Sequence, residues 1–185
     1  MAADPCSGER INLYSLVTYL PDPLGSFIDQ LRCELVPGCS LRAHVTLLPP
    51  RCLQEPVAAG KQIGSTLELF EPFEVHLNEV EIFSKSNVVY LGLSHGLSRL
   101  EALHTALNSA DVFFEEPFEY HPHITLAQQI AEEQISDVFH HARYRWAEYA
   151  HQRSFPVDRA VYVQAITLSN WVDLEEFRLG SAARQ

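Results

Sequence analysis

The chain predicts an α+β fold of two pseudo-symmetric lobes, each an antiparallel sheet with packed helices, set around a central cleft. Two observations predict it. The tripeptides His44-Val45-Thr46 and His123-Ile124-Thr125 follow one plan: each is succeeded by Leu, and each lies in a short β-branched run bounded by proline, which reads as strand. The order of elements around them also repeats, strand, helix, strand, helix, strand, over residues 11–83 and again over 88–179. With 185 residues and no long linker, the two repeats are expected to form one bilobal domain spanning 1–185.

Taken in order, Ile11 to Leu20 is β-rich and ends at the turn Pro21-Asp22-Pro23. Leu24, Phe27, Ile28, Leu31 and Leu35 then fall at helical spacing. Pro37-Gly38 turns the chain into the first motif strand, and Val57 to Leu69 is compatible with a helix. Phe73 to Phe83 alternates, with Phe73, Val75 and Leu77 on one face. Val88 to Leu93 opens the second unit as a compact strand. Ser98-Arg99-Leu100-Glu101 has the capping-box pattern of a helix start, followed by Leu100, Leu103 and Leu107 on one side. A loop from Asp111 to Tyr120 leads to the second motif strand. Ile135, Val138, Phe139, Ala142 and Trp146 mark a long amphipathic helix. Val157 to Leu168 and Trp171 to Leu179 close the unit as strands around Ser169-Asn170.

The motif strands carry the chemistry. Side chains two apart on a strand share a face, so each motif points an imidazole and a hydroxyl the same way while Val45, Leu47, Ile124 and Leu126 face a core. A single H-x-T is usually no more than a partly buried histidine. Two copies 79 positions apart, alike in the middle and following residues, point to a paired site. Arg42, two before His44, is placed on the same face, within reach of a phosphoryl oxygen. Arg51, Lys61, Arg143, Arg145 and Arg153 are further cations near the motifs. His121 and His123 form a His-x-His that could ligate a divalent ion. No Asp, Glu or Cys lies within two residues of either motif, which favours a site without metal or other cofactor. His104 reads as a packed or boundary histidine, and His140-His141 as surface.

Composition narrows the class. The chain is 46% hydrophobic and 20% charged, as in a globular domain. Its net charge of −11 argues against a long phosphate-tracking groove and for a small substrate or one engaged at its end. No apolar run reaches the ~18 residues of a membrane span, and Met1 to Gly8 lacks the pattern of a secretory signal. Cys6, Cys33, Cys39 and Cys52 form no C-x-x-C, which suits a reducing cytoplasm. A monomer without membrane or obligate protein partner is expected.

The chain resembles the 2H phosphoesterase superfamily, in its 2′-5′ RNA ligase or RNA 2′,3′-cyclic phosphodiesterase branch. The likeness rests on His44-Val45-Thr46-Leu47, His123-Ile124-Thr125-Leu126, their flanking Leu48-Pro49-Pro50 and Pro122, and the late Phe177-Arg178-Leu179-Gly180. It covers roughly residues 11–180. It implies metal-independent opening of a 2′,3′-cyclic phosphodiester, on an RNA end or small nucleotide, to a 2′-phosphomonoester. His44, Thr46, His123 and Thr125 would be catalytic, with His44 the acid on the leaving 3′ oxygen and His123 the base. Tyr120, Phe83 and Tyr90 are candidate stacking partners for a base. The same cleft could instead hold a nucleotide without turnover, or join a cyclic phosphate to a 5′ hydroxyl in the 2′-5′ ligase direction.

Overall fold

The computed structural model describes residues 10–83, 85–167 and 170–180. Eight strands and four helices follow the order β1 (Tyr14–Tyr19), α1 (Leu24–Leu35), β2 (His44–Arg51), α2 (Pro56–Leu67), β3 (Phe73–Phe83), β4 (Val88–His95), α3 (Leu97–Leu107), β5 (Ile124–Ala127), α4 (Ile135–Glu148), β6 (Ser154–Val157), β7 (Arg159–Thr167) and β8 (Asn170–Arg178). Pro56 starts α2 where its missing N–H costs nothing. The Ser98 capping box is not used: α3 begins at Leu97 behind Gly96, whose φ of 83° and close approach to the Glu74 carbonyl leave no room for a Cβ. The residues Met1 to Gly8, with Cys6, and Leu168-Ser169 lie outside the described residues.

Both sheets are antiparallel and four-stranded, in the orders β2-β1-β7-β8 and β5-β4-β3-β6. The repeats 11–83 and 88–179 therefore do not coincide with the sheets. β3, at the end of the first repeat, joins the second sheet, while β7 and β8 cross back to the first. The exchange preserves an approximate two-fold, since each sheet runs from a motif strand at its edge, through the strand before it in sequence, to a strand of the other unit. Local pattern could not reveal the swap because it encodes which face is buried, not which neighbour pairs. The strand expected from Val157 is β7, which starts at Arg159; the short β6, which ends at Val157, is an additional strand parted from it at Asp158, and it pairs with β3 whereas β7 pairs with β1.

A continuous core lies between the sheets and helices. α1 contributes Leu24, Ile28 and Leu31, α3 Leu100, Leu103 and Leu107, and the motif strands Val45, Leu47, Ile124 and Leu126. Because strands from both units contribute to one core, neither lobe has an independent interior. The Trp146 indole N–H donates to the Asn78 carbonyl at 2.8 Å and fixes α4 on β3. Arg145 makes two 2.9 Å bonds to the Glu34 carboxylate and ties α4 to α1.

Arg51, one of the cations near the motifs, is 2% exposed. Its guanidinium donates to Glu116 at 2.6 Å, Asn108 Oδ1 at 2.6 Å, and the Val112 and Pro49 carbonyls at 2.9 and 3.0 Å. The end of β2 is thus pinned to the segment that carries Phe114 to Tyr120. Removing one member of a buried pair leaves the other charge uncompensated, so Glu116→Ala should cost ~3–5 kcal/mol in unfolding free energy. Equilibrium urea denaturation measures it, and a loss below ~1 kcal/mol, the level of a surface pair, would refute the buried role.

Candidate active site

The two motif strands are the facing edges of the two sheets and touch one another. Their ladders carry the same irregularity. On β2, Thr46 pairs with Val17 and Leu48 with Leu16, so Leu47 is an extra residue. On β5, Thr125 pairs with Tyr90 and Ala127 with Val89, so Leu126 is the extra one. A bulge at that point suspends the alternation of the strand, which is why Leu47-Leu48 and Leu126-Ala127 are each buried side by side. Before the bulge, alternation holds: His44 and Thr46, and His123 and Thr125, are half-buried, with Val45 and Ile124 fully buried between them.

Both histidines are held alike. His44 Nδ1 lies 2.6 Å from the Arg42 carbonyl oxygen and His123 Nδ1 2.7 Å from that of His121. A carbonyl only accepts, so each Nδ1 carries the proton and each Nε2 is left as the basic nitrogen. Burial pushes His44 down from the ordinary histidine range to about 4, against its backbone bond, with the charges of Arg32, His123 and Arg42 adding to the effect. Burial also lowers His123, with His121 adding to it. Both rings are therefore neutral at pH 7.

Two cavities meet at Thr46 and Pro50. One, of about 710 Å³, holds His44, Thr46 and Thr125 with Tyr19, Arg32, Arg42 and Trp171 on its wall. The other, of about 720 Å³, holds His123 with Phe83, Phe114, Phe118 and Tyr120. The cleft thus has a cationic half beside His44 and an aromatic half beside His123. The four motif side chains all line this divided cleft.

The other expected residues fare differently. Arg42 precedes the strand but lines the same cavity as His44 and Thr46; its guanidinium sits 3.7 Å from the centre of the Tyr19 ring and 3.5 Å from Asp173, on the rim of that cavity. Phe83 faces the aromatic cavity and stacks on Tyr90 at 3.9 Å. Tyr90 is only 4% exposed and gives its hydroxyl to Glu81, so it supports Phe83 from below and is out of reach of a ligand. Tyr120 lines the aromatic cavity but stacks on His104 at 3.8 Å and donates to the Thr46 carbonyl at 2.8 Å, which gives it a positioning role. His121 is exposed, and its ring packs edge-on to Phe83. Among the described residues no group of three or more His, Cys, Asp or Glu could hold a metal ion. None of the described helices is long and apolar enough to cross a membrane.

Sequence reasoning missed three residues. His104, placed correctly as buried, is also a staple: its Nδ1–H donates to the Leu47 carbonyl at 2.8 Å, and its Nε2 lies 3.4 Å from Glu116. Glu116 holds both His104 and Arg51. Arg32 sits on α1, 4% exposed, on the wall of the His44 cavity. The one available signal was an arginine directly after Leu31, inside a buried helical stripe.

A sequence profile of the 2′-5′ RNA ligase superfamily matches residues 20–167, a span that includes both motifs. The chain belongs to the 2′-5′ RNA ligase superfamily. Among curated proteins of this kind, "Putative phosphoesterase BH1439" of Halalkalibacterium halodurans is 25% identical over 171 residues, which is 90% of this chain and 97% of that one. The superfamily fold is shared with E. coli LigT complexed with 3′-AMP, at a TM-score of 0.64 and 20% identity over 92% of this chain and 99% of LigT. It is shared equally with the protein TT0787 of Thermus thermophilus, at a TM-score of 0.63 and 19% identity over 91% and 98% of the two chains.

In this superfamily member the neutral histidines leave a signature in stability. The folded value for His44, about 4, lies below the ~6.5 of an unfolded histidine. Between those values the unfolded chain binds more protons, so the contribution is complete above about pH 6.5 and is lost as the pH falls toward 4. Denaturation curves from pH 7.5 to 4 should therefore show a shallower pH dependence for His44→Asn than for the parent. Superimposable slopes would place the titrating group elsewhere.

Proposed function

We propose that this protein is a phosphoesterase that hydrolyses a 2′,3′-cyclic phosphodiester to a 2′-phosphomonoester with its two motif histidines. One observation carries the reading: two imidazoles on facing edge strands, each locked by a carbonyl two residues back in the tautomer that leaves Nε2 basic, each followed by a threonine on the same cleft. Membership of the superfamily and the phosphoesterase naming of its relatives support it. LigT has been crystallised with 3′-AMP, which supports a nucleotide as the ligand here.

The reaction needs one base and one acid. A histidine removes a proton from water as the water oxygen bonds to phosphorus. The bond from phosphorus to the 3′ oxygen breaks, and the other histidine gives that oxygen a proton. Thr46 and Thr125 donate to the non-bridging oxygens, which gain charge in the transition state. In the free protein both rings are neutral, so the acid acquires its proton as the phosphate anion enters. In the free protein Arg32, His123 and Arg42 oppose a proton on His44, and His121 opposes one on His123. Phe83 and Phe118, which is 80% exposed, offer apolar surface to a nucleobase on the His123 side.

His44→Ala and His123→Ala should each lower turnover of 2′,3′-cyclic nucleotides by at least ~10²-fold, the worth of a general acid or base. Thr46→Val and Thr125→Val should lower kcat by ~10–10³-fold with a smaller effect on KM. The assay is run over a panel of cyclic nucleotides and cyclic-phosphate-ended oligonucleotides with EDTA present. Activity abolished by EDTA and restored by a divalent ion would overturn the two-histidine chemistry. Nucleotide binding without turnover by the parent protein would make it a binding module.

A further inference from the structure

Arg32 is the outlying charge of this molecule. Its residue surface is 4% exposed, yet among the described residues no carboxylate lies within ion-pair distance of it. One nitrogen, Nη1, donates to the Arg42 carbonyl at 3.3 Å, and the buried Nε has no partner. An ion taken out of water costs several kcal/mol unless paired, and proteins retain such a group only with a compensating partner or a use for it.

The matching helix of the other unit supplies a comparison, although the two carbonyls reached both belong to the first motif and are not symmetry mates. Arg32 follows Leu31 in the buried stripe Ile28, Leu31, Arg32 of α1; His104 follows Leu103 in the stripe Leu100, Leu103, His104 of α3. Both side chains reach a carbonyl at or just before the first motif strand, of Arg42 and of Leu47. Arg51, beside His104, has Glu116 as its built-in anion, and Glu116 also lies 3.4 Å from His104 Nε2. Arg32 has the matching place in its helix stripe, a permanent charge and no anion of its own. In its place is the His44 cavity, which Arg32 lines together with Arg42. Arg42 is partly engaged by Asp173; Arg32 is not.

We propose that Arg32 is the anion-binding residue of the cleft, and that a phosphate group of the substrate takes the partner position that Glu116 fills on the other side. This deepens the proposed reaction, on which it rests for the identity of the substrate. The guanidinium fork matches phosphoryl oxygens, and an arriving phosphate would both satisfy the orphan Nε–H and offset the positive potential beside His44. The phosphate is either the one that reacts or the next one along a longer ligand, such as a 5′-phosphate.

The test uses binding without turnover. Inorganic phosphate, adenosine 2′-monophosphate and adenosine 2′,5′-bisphosphate are titrated into the parent protein, Arg32→Met and Arg32→Lys by calorimetry, with denaturation run in parallel. Arg32→Met should bind inorganic phosphate roughly 10- to 100-fold more weakly, as for the loss of a charge-assisted hydrogen bond, and Arg32→Lys should recover part of the loss. Arg32→Met should also be as stable as the parent or more so without ligand, because it removes an unpaired buried charge. Equal losses for the mono- and bisphosphate would assign Arg32 to the reacting group; a loss confined to the bisphosphate would assign it to the neighbouring phosphate. Unchanged phosphate affinity in folded Arg32→Met overturns the proposal, as does a marked loss of stability with affinity retained, which would make Arg32 a structural staple. Should the cyclic-nucleotide panel show no turnover while phosphate binding still depends on Arg32, the hydrolytic reading fails and the anion site stands.

Discussion

The cleft depends on the burial of Leu47 and Leu126 in one shared core. Each is the extra residue of a bulge at the same point of its motif strand, and both pack into the cluster that joins the two sheets. Burying a leucine is worth ~1.5–3 kcal/mol, and a strand cannot slip by one residue without moving that side chain to the other face. The two leucines therefore set the register of both edges. His44, Thr46, His123 and Thr125 face the opening because the residues around them cannot. The hydrophobic residue after each H-x-T is thus a geometric part of the motif.

A bulge leaves backbone groups outside the ladder, and on β2 they are claimed from the other unit. Tyr120 takes the Thr46 carbonyl and His104 takes that of Leu47. Burial pushes the Tyr120 hydroxyl well above its ordinary value, so it remains a donor. Glu116 then holds His104 and Arg51 together, and through Arg51 the far end of the same strand. The second unit thereby fixes the position of the first motif through two side chains and a carboxylate, a tighter coupling than core packing alone provides.

The electrostatic layout contrasts with the overall composition. The chain carries a net charge of −11, yet the half of the cleft beside His44 has Arg32 and Arg42 against a single carboxylate among the described residues, Asp173, and the half beside His123 is mainly aromatic and proline side chains, with Lys85, Glu116 and Glu119 among them. Such a division suits a ligand with an anionic end and a flat apolar end, bound across two neutral imidazoles. A global acidic charge and a local cationic wall coexist because screening confines exposed charges to about a Debye length, whereas partly buried ones act on their neighbours.

Periodicity and turn chemistry, which act over a few residues, were enough to place the two motif strands and the helices that follow Pro23 and Pro56. They also placed His140 and His141 at the surface and His104 in the interior. The family likeness was legible in the same way, since the paired H-x-T-L spacing survives at low overall identity. Long-range packing settled the rest. That β3 leaves its own repeat for the second sheet depends on strand pairing between distant segments, which alternation does not encode. That Arg51 is buried while Arg42 stays on the rim depends on a carboxylate 65 positions away in one case and on Tyr19 and Asp173 in the other. That Tyr90 lies beneath Phe83, and that Arg32 stands in the cleft without an anion of its own, follow from how the helices and sheets pack. Charge, aromaticity and spacing are properties of the chain; which of those groups meet is a property of the packed molecule, because each meeting joins residues that no local rule connects.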